Sequence, residues 1–170
     1  MRENRSDKML CGISVGCFFL VSMSFLLMPI ESIGILPGVF FWSGLIFGVA
    51  LQFVLAVRRR SFFKKYVVNR QKIQKARNGL LTFGSNFMAG IADKCMIIGL
   101  VATVVAFILS EGYGYICYVC VAITFFSFAM HCILNGRIYH YIKNQKKIRQ
   151  MLEQKKANST DKGERGNGKK

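Results

Sequence analysis

The sequence predicts an all-α integral membrane four-helix bundle with an interfacial amphipathic helix and a basic cytoplasmic tail. Three observations carry that expectation. Apolar residues make up 52% of the 170-residue chain. They gather in four long blocks rather than in alternating or amphipathic patterns, and nearly all charge is expelled to the segments between and after them. A soluble domain of this size cannot bury so much apolar surface, so the blocks are expected to meet lipid.

Residues 1–8, with Arg2, Arg5 and Lys8, form the N-terminal segment. The first span, 9–28, carries no formal charge and stops at Pro29. At helical rise it is about 30 Å long, the thickness of a hydrocarbon core. Its basic leader is shared with signal peptides, but the apolar core is too long and no small-x-small cleavage site follows, so a retained anchor is expected. After an outer turn at 29–33, the second span runs over 34–57 and ends at Arg58-Arg59-Arg60.

Residues 58–90 make a basic loop. Within it Phe62, Phe63, Tyr66, Val67, Ile73 and Ala76 fall at roughly helical spacing among cations, predicting an interfacial helix with its rings toward the acyl chains. A solvated basic loop is the alternative. The glycine-punctuated stretch 79–90 fits either a shallow re-entrant turn or an early start to the next span. The third span, 91–110, holds Asp93 and Lys94 in its first turns. An outer turn at 111–112 leads to the fourth span, 113–135, which Asn135-Gly136 is suited to end. A cytoplasmic helix is expected over 136–156 on the stripe Ile138, Tyr141, Ile142, Ile148, Met151 and Leu152. The tail over 157–170 has no apolar residue beyond Ala157 and is expected to be disordered.

Orientation follows from charge, because cationic segments resist translocation. From Arg58 to Asn78 there are nine basic residues and no acid, and from Arg137 to Lys170 eleven basic residues against three acids. The two short turns carry only Glu31 and Glu111. The termini and the middle loop are therefore expected inside, in a plasma membrane. The net charge of +16 is explained by this topology without a nucleic-acid partner. Anionic lipid headgroups are the expected partner instead, held by Arg58, Arg59, Arg60, Lys64, Lys65, Arg70, Lys72, Lys75 and Arg77, since each juxtamembrane cation contributes about 1 kcal/mol.

Helices in lipid associate through small and polar residues. Gly12 and Gly16 form a small-x-x-x-small pair on the first span. Gly34, Gly38, Gly44, Gly48 and Gln52 share a face of the second, and Cys95, Gly99 and Thr103 a face of the third. These stripes predict a compact bundle with polar groups turned inward, or a homodimer through Gly44 and Gly48.

Three constellations carry chemistry. Cys117 and Cys120, near the outer end of the fourth span, share a helix face as in membrane thiol oxidoreductases, although such enzymes use a second outward pair that this sequence lacks. Asp93, Lys94 and His131, with Gln52, form a polar group at the inner edge. Asp93 and His131 lie about 24 and 27 Å from the outer ends of their helices, a similar depth, so they suit a proton or ligand site in a small transporter or channel. The expectation taken first is that Asp93 pairs with Lys94 or another boundary cation and anchors the helix at the headgroups, with the proton or ligand site as the alternative. Cys132 with His131 or His140 lacks the spacing of a metal site, and no metal or cofactor is expected. No phosphate loop, serine elbow or HExxH is present.

The stretch Met130-His131-Cys132-Ile133-Leu134-Asn135-Gly136-Arg137-Ile138-Tyr139 resembles a segment of small multipass membrane proteins of unknown function in Gram-positive bacteria. The resemblance implies a bacterial plasma membrane and assigns no catalytic residue. Taken together, these features predict a non-enzymatic interaction or scaffold protein that presents a cationic inner-leaflet surface to anionic lipid or to a membrane protein partner.

Overall fold

The computed structural model describes residues 2–65, 79–109 and 114–167. Among them the long elements are all helices: α1 (Arg2–Leu27), α2 (Leu36–Lys65), α3 (Phe87–Leu109), α4 (Tyr115–Leu134) and α5 (Arg137–Asn167), with short 3-10 turns at Glu31–Ile33 and Gly79–Leu81. Four helices, the last running from α4 on into α5, are long and apolar enough to cross a membrane.

Local chemistry sets the boundaries. Pro29 has no N–H to continue α1 and disfavours the helical conformation at Met28. The chain reverses through the 3-10 turn and Gly34, whose φ of 58° lies in the left-handed region that glycine adopts freely. Pro37 then sits in the first turn of α2, where its missing N–H costs nothing.

Several boundaries differ from those expected. α1 begins at Arg2 rather than at residue 9, and α2 continues through Arg58-Arg59-Arg60 to Lys65 rather than ending at Val57. Arginine and lysine are good helix formers, so charge limits the stretch that fits in lipid without ending the helix. Phe62 and Phe63 therefore belong to α2, while Tyr66, Val67, Ile73 and Ala76 lie outside the described residues, as do Arg70, Lys72, Lys75, Arg77 and Glu111. α3 starts at Phe87, four residues early, because the Asn86 side-chain oxygen accepts the Ala89 N–H at 2.9 Å and caps the first turn. α5 runs through Asn167 where disorder was expected from 157, since extending an established helix is far easier than starting one.

Packing follows the order α2, α1, α4, α3, with α1 between α2 and α4, and α3 against α4. Phe25 of α1 joins three helices, with ring centroids 5.8 Å from Phe41 of α2 and 5.9 Å from Phe125 of α4. Large apolar side chains face outward along both flanks, among them Trp42, Ile46 and Phe53 on α2 and Ile98, Val101 and Ile108 on α3. Apolar patches of this extent call for an apolar surround.

Candidate functional site

The chemistry-bearing side chains concentrate at one end of the bundle, the basic end, where α1 and α3 begin and α2 and α4 finish. Two buried polar nodes and one composite surface lie there.

The first node is built on Asp93, which is only 5% exposed. One carboxylate oxygen accepts from His131 Nδ1 at 2.6 Å and from Asn135 Nδ2 at 3.1 Å. The other accepts the backbone N–H of Gly84 at 2.5 Å. Asn135 is itself fully buried, and its side-chain oxygen accepts the Ser85 N–H at 3.2 Å. Ser85 and Asn86 side chains reach the Leu134 carbonyl at 3.5 and 3.4 Å, near the end of α4. Phe83 lies over His131 at a centroid distance of 4.8 Å. Gly84 adopts φ +61°, in the left-handed region that glycine enters freely, at the point where the chain turns past the carboxylate.

The structure thus joins Asp93 to His131, while Lys94 is exposed. A buried carboxylate needs donors on both oxygens, and this one has them. The arrangement can fasten the segment 82–86 across the ends of α3 and α4. It also satisfies in advance the groups that a transported ion or ligand would have to meet.

The second node was not foreseen. Asp7 of α1 is 3% exposed and forms an ion pair with Arg58 of α2 at 3.1 Å. Gln145 of α5 donates to the other Asp7 oxygen at 3.3 Å and to the Tyr141 hydroxyl at 2.8 Å, and the Tyr141 hydroxyl makes a long contact of 3.5 Å to Asp7. An acid among the cations of the N-terminal segment was the available signal. With no helix expected over residues 1–8, there was no face on which Asp7 could meet α2 and α5.

Around Asp7 lies an apolar cluster of Leu55, Phe62, Tyr141, Ile142 and Leu152, with Leu10 and Ile148 packed against it. The rings of Phe62 and Tyr141 stand 5.4 Å apart, centroid to centroid. α5 is therefore docked along the ends of α1 and α2 through Tyr141, Ile142 and Leu152, while Met151 of the same stripe is exposed. Arg58 and Arg60 at the end of α2 are exposed, as are Lys64 and, on α5, Lys143, Lys146 and Lys147. Two basic segments far apart in sequence thus lie at the same end of the bundle.

The glycines divide. A Cβ on Gly44 would meet the Cys17 carbonyl at 2.7 Å and Val21 at 2.8 Å, and one on Gly48 would meet Phe18 at 3.2 Å. One on Gly99 would meet Thr124 Oγ1 at 2.6 Å. Gly12 and Gly16, expected on a packing face, have nothing within 4 Å of that position and are exposed. The contact face of α1 carries Ser14, Val21 and Ser24 instead, with Ser14 donating to the Gly48 carbonyl at 3.0 Å and accepting from Gln52 at 2.9 Å. Gln52 thus lies apart from the Asp93 node with which it was grouped.

All six cysteines are free thiols; Cys117 is buried and Cys120 partly buried on α4. Among the described residues no group of three or more histidine, cysteine or acidic side chains is placed to hold a metal ion. Comparison with family models, curated proteins and solved structures finds no match to this chain.

Proposed function

We propose that this protein is a non-enzymatic membrane protein that presents a cationic face to the anionic inner leaflet of the plasma membrane, with its termini and the 58–90 loop cytoplasmic. The observation that carries the reading is the docking of α5 on the end of α2 through Phe62 and Tyr141, which merges two basic stretches into one surface. Anionic headgroups are attracted to such a surface over about a Debye length, and the attraction weakens with salt. The buried nodes beneath it fasten the helices that carry the charges.

The rival chemistries gain little support. Both Asp93 oxygens are already met, by Gly84 on one side and by His131 and Asn135 on the other, which suits a fastening better than a proton or ion path. Cys117 is turned into the bundle, where a protein dithiol cannot reach it.

The reading is tested by holding the full chain in an amphipol and titrating it with vesicles of phosphatidylcholine alone or mixed with phosphatidylglycerol. Binding should require the anionic lipid and fall steeply as salt is raised. Equal binding to both vesicle types at low salt would end the proposal.

A further inference from the structure

The packing order leaves a cleft between α2 and α4, floored by Phe18 of α1, with a volume of about 610 Å³. That volume lies within the range of roughly 300–1,000 Å³ found for ligand sites. Leu45 and Ala56 form one wall, and Phe125 and Phe128 the other. Among the described residues, the charged ones lining it are Arg59 and Arg137, both at the basic end. Arg59 is partly buried, with its guanidinium 5.4 Å from the centroid of the Phe63 ring, and Arg137 is the exposed first residue of α5.

Two features of this cleft suit one class of occupant. Arg59 and Arg137 line the same end of the cleft, so an anion seated there meets two cations from two helices. Leu45 and Arg59 are separated on α2 by a helical rise of about 21 Å. Half a bilayer including its headgroups is likewise about 20–22 Å. The apolar length beneath the cation pair therefore corresponds to the acyl chain beneath a phosphate in a single leaflet.

We propose that the cleft is a binding site for one anionic glycerophospholipid, with an acyl chain between α2 and α4 and the phosphate between Arg59 and Arg137. The inference rests on reading the basic end as the inner-leaflet face, and narrows that face from a diffuse surface to a defined site. Arginine suits the role because its planar fork meets phosphate oxygens in pairs. A zwitterionic lipid brings a cation of its own toward the same two groups and is disfavoured.

The test is native mass spectrometry of the full chain incubated with phosphatidylglycerol or phosphatidylcholine. Wild-type protein should retain one phosphatidylglycerol in preference to phosphatidylcholine. Arg59→Gln and Arg137→Gln should each weaken that retention about fivefold, and Ala56→Phe should displace the lipid by filling the cleft. Lys94→Gln, an exposed cation on α3 outside the cleft, should leave it unchanged. Retention that follows Lys94 and ignores the two arginines would overturn the site, as would equal retention of both lipids. Neither result touches the surface reading, which the salt-dependent vesicle titration judges separately.

Discussion

Asp93 and Asp7 set the demands at the residue scale, because each is a buried carboxylate whose oxygens are matched to particular donors. In Asp93→Asn the amide nitrogen must face either the Gly84 N–H or the His131 and Asn135 donors, a donor against a donor. The variant should lose about 1–3 kcal/mol of stability, the cost of a buried polar group left unmatched. Lys94→Gln should lose almost nothing, since Lys94 is exposed. Thermal unfolding in detergent separates the two, and equal losses would mean that Asp93 is an ordinary boundary charge. Asp7 offers a second contrast. Its Arg58 partner has a side chain 47% exposed, so that contact is screened and contributes little, whereas Tyr141 and Gln145 are buried. Asp7→Ala should therefore destabilise clearly more than Arg58→Gln. Depth counting along the third and fourth spans was enough to bring Asp93 and His131 together on paper. Their partners Gly84 and Ser85 were hidden, because a backbone N–H carries no side-chain signature.

Glycine spacing marks a face of a helix without saying whether a neighbour uses it. At Gly44 and Gly99 the neighbour is a backbone or side-chain oxygen within van der Waals reach of an added methyl. Gly44→Ala and Gly99→Ala should thus force α1 from α2, and α3 from α4, at about 1–3 kcal/mol each. Gly12→Ala and Gly16→Ala should be neutral or slightly stabilising, as alanine favours helix over glycine. Unfolding in a graded denaturing detergent ranks the four, and a large loss at Gly12 would place an unseen partner on that side of α1. The four long apolar helices were legible in the sequence because they depend on runs of apolar residues. The junctions were less so, because helix continuation past Val57 and the cap at Asn86 depend on propensity and on single hydrogen bonds. The α5 segment is helical as its spacing suggests, but nothing in its periodicity says that Tyr141, Ile142 and Leu152 rest on α1 and α2. Tyr141→Ala removes the ring that packs on Phe62 and should release α5, seen as faster protease cleavage near Lys143 and Lys146 with the spans intact.

For the whole molecule, the packing order α2, α1, α4, α3 has two consequences that no single helix contains. It gathers Arg58, Arg60, Lys64 and the α5 lysines at one end, and it leaves the cleft that Arg59 and Arg137 guard. Both were beyond the reach of sequence periodicity, which describes helices singly and not the order in which they touch. The account requires that this end face the inner leaflet. The most direct measurement is the sidedness of single cysteines in intact cells, introduced as Ser32→Cys in the turn before α2 and Lys146→Cys on α5, in a background with the six native cysteines replaced by serine. Ser32→Cys should react with a membrane-impermeant thiol reagent, and Lys146→Cys only with a permeant one. The reverse pattern would put the cationic face outside and contradict the account.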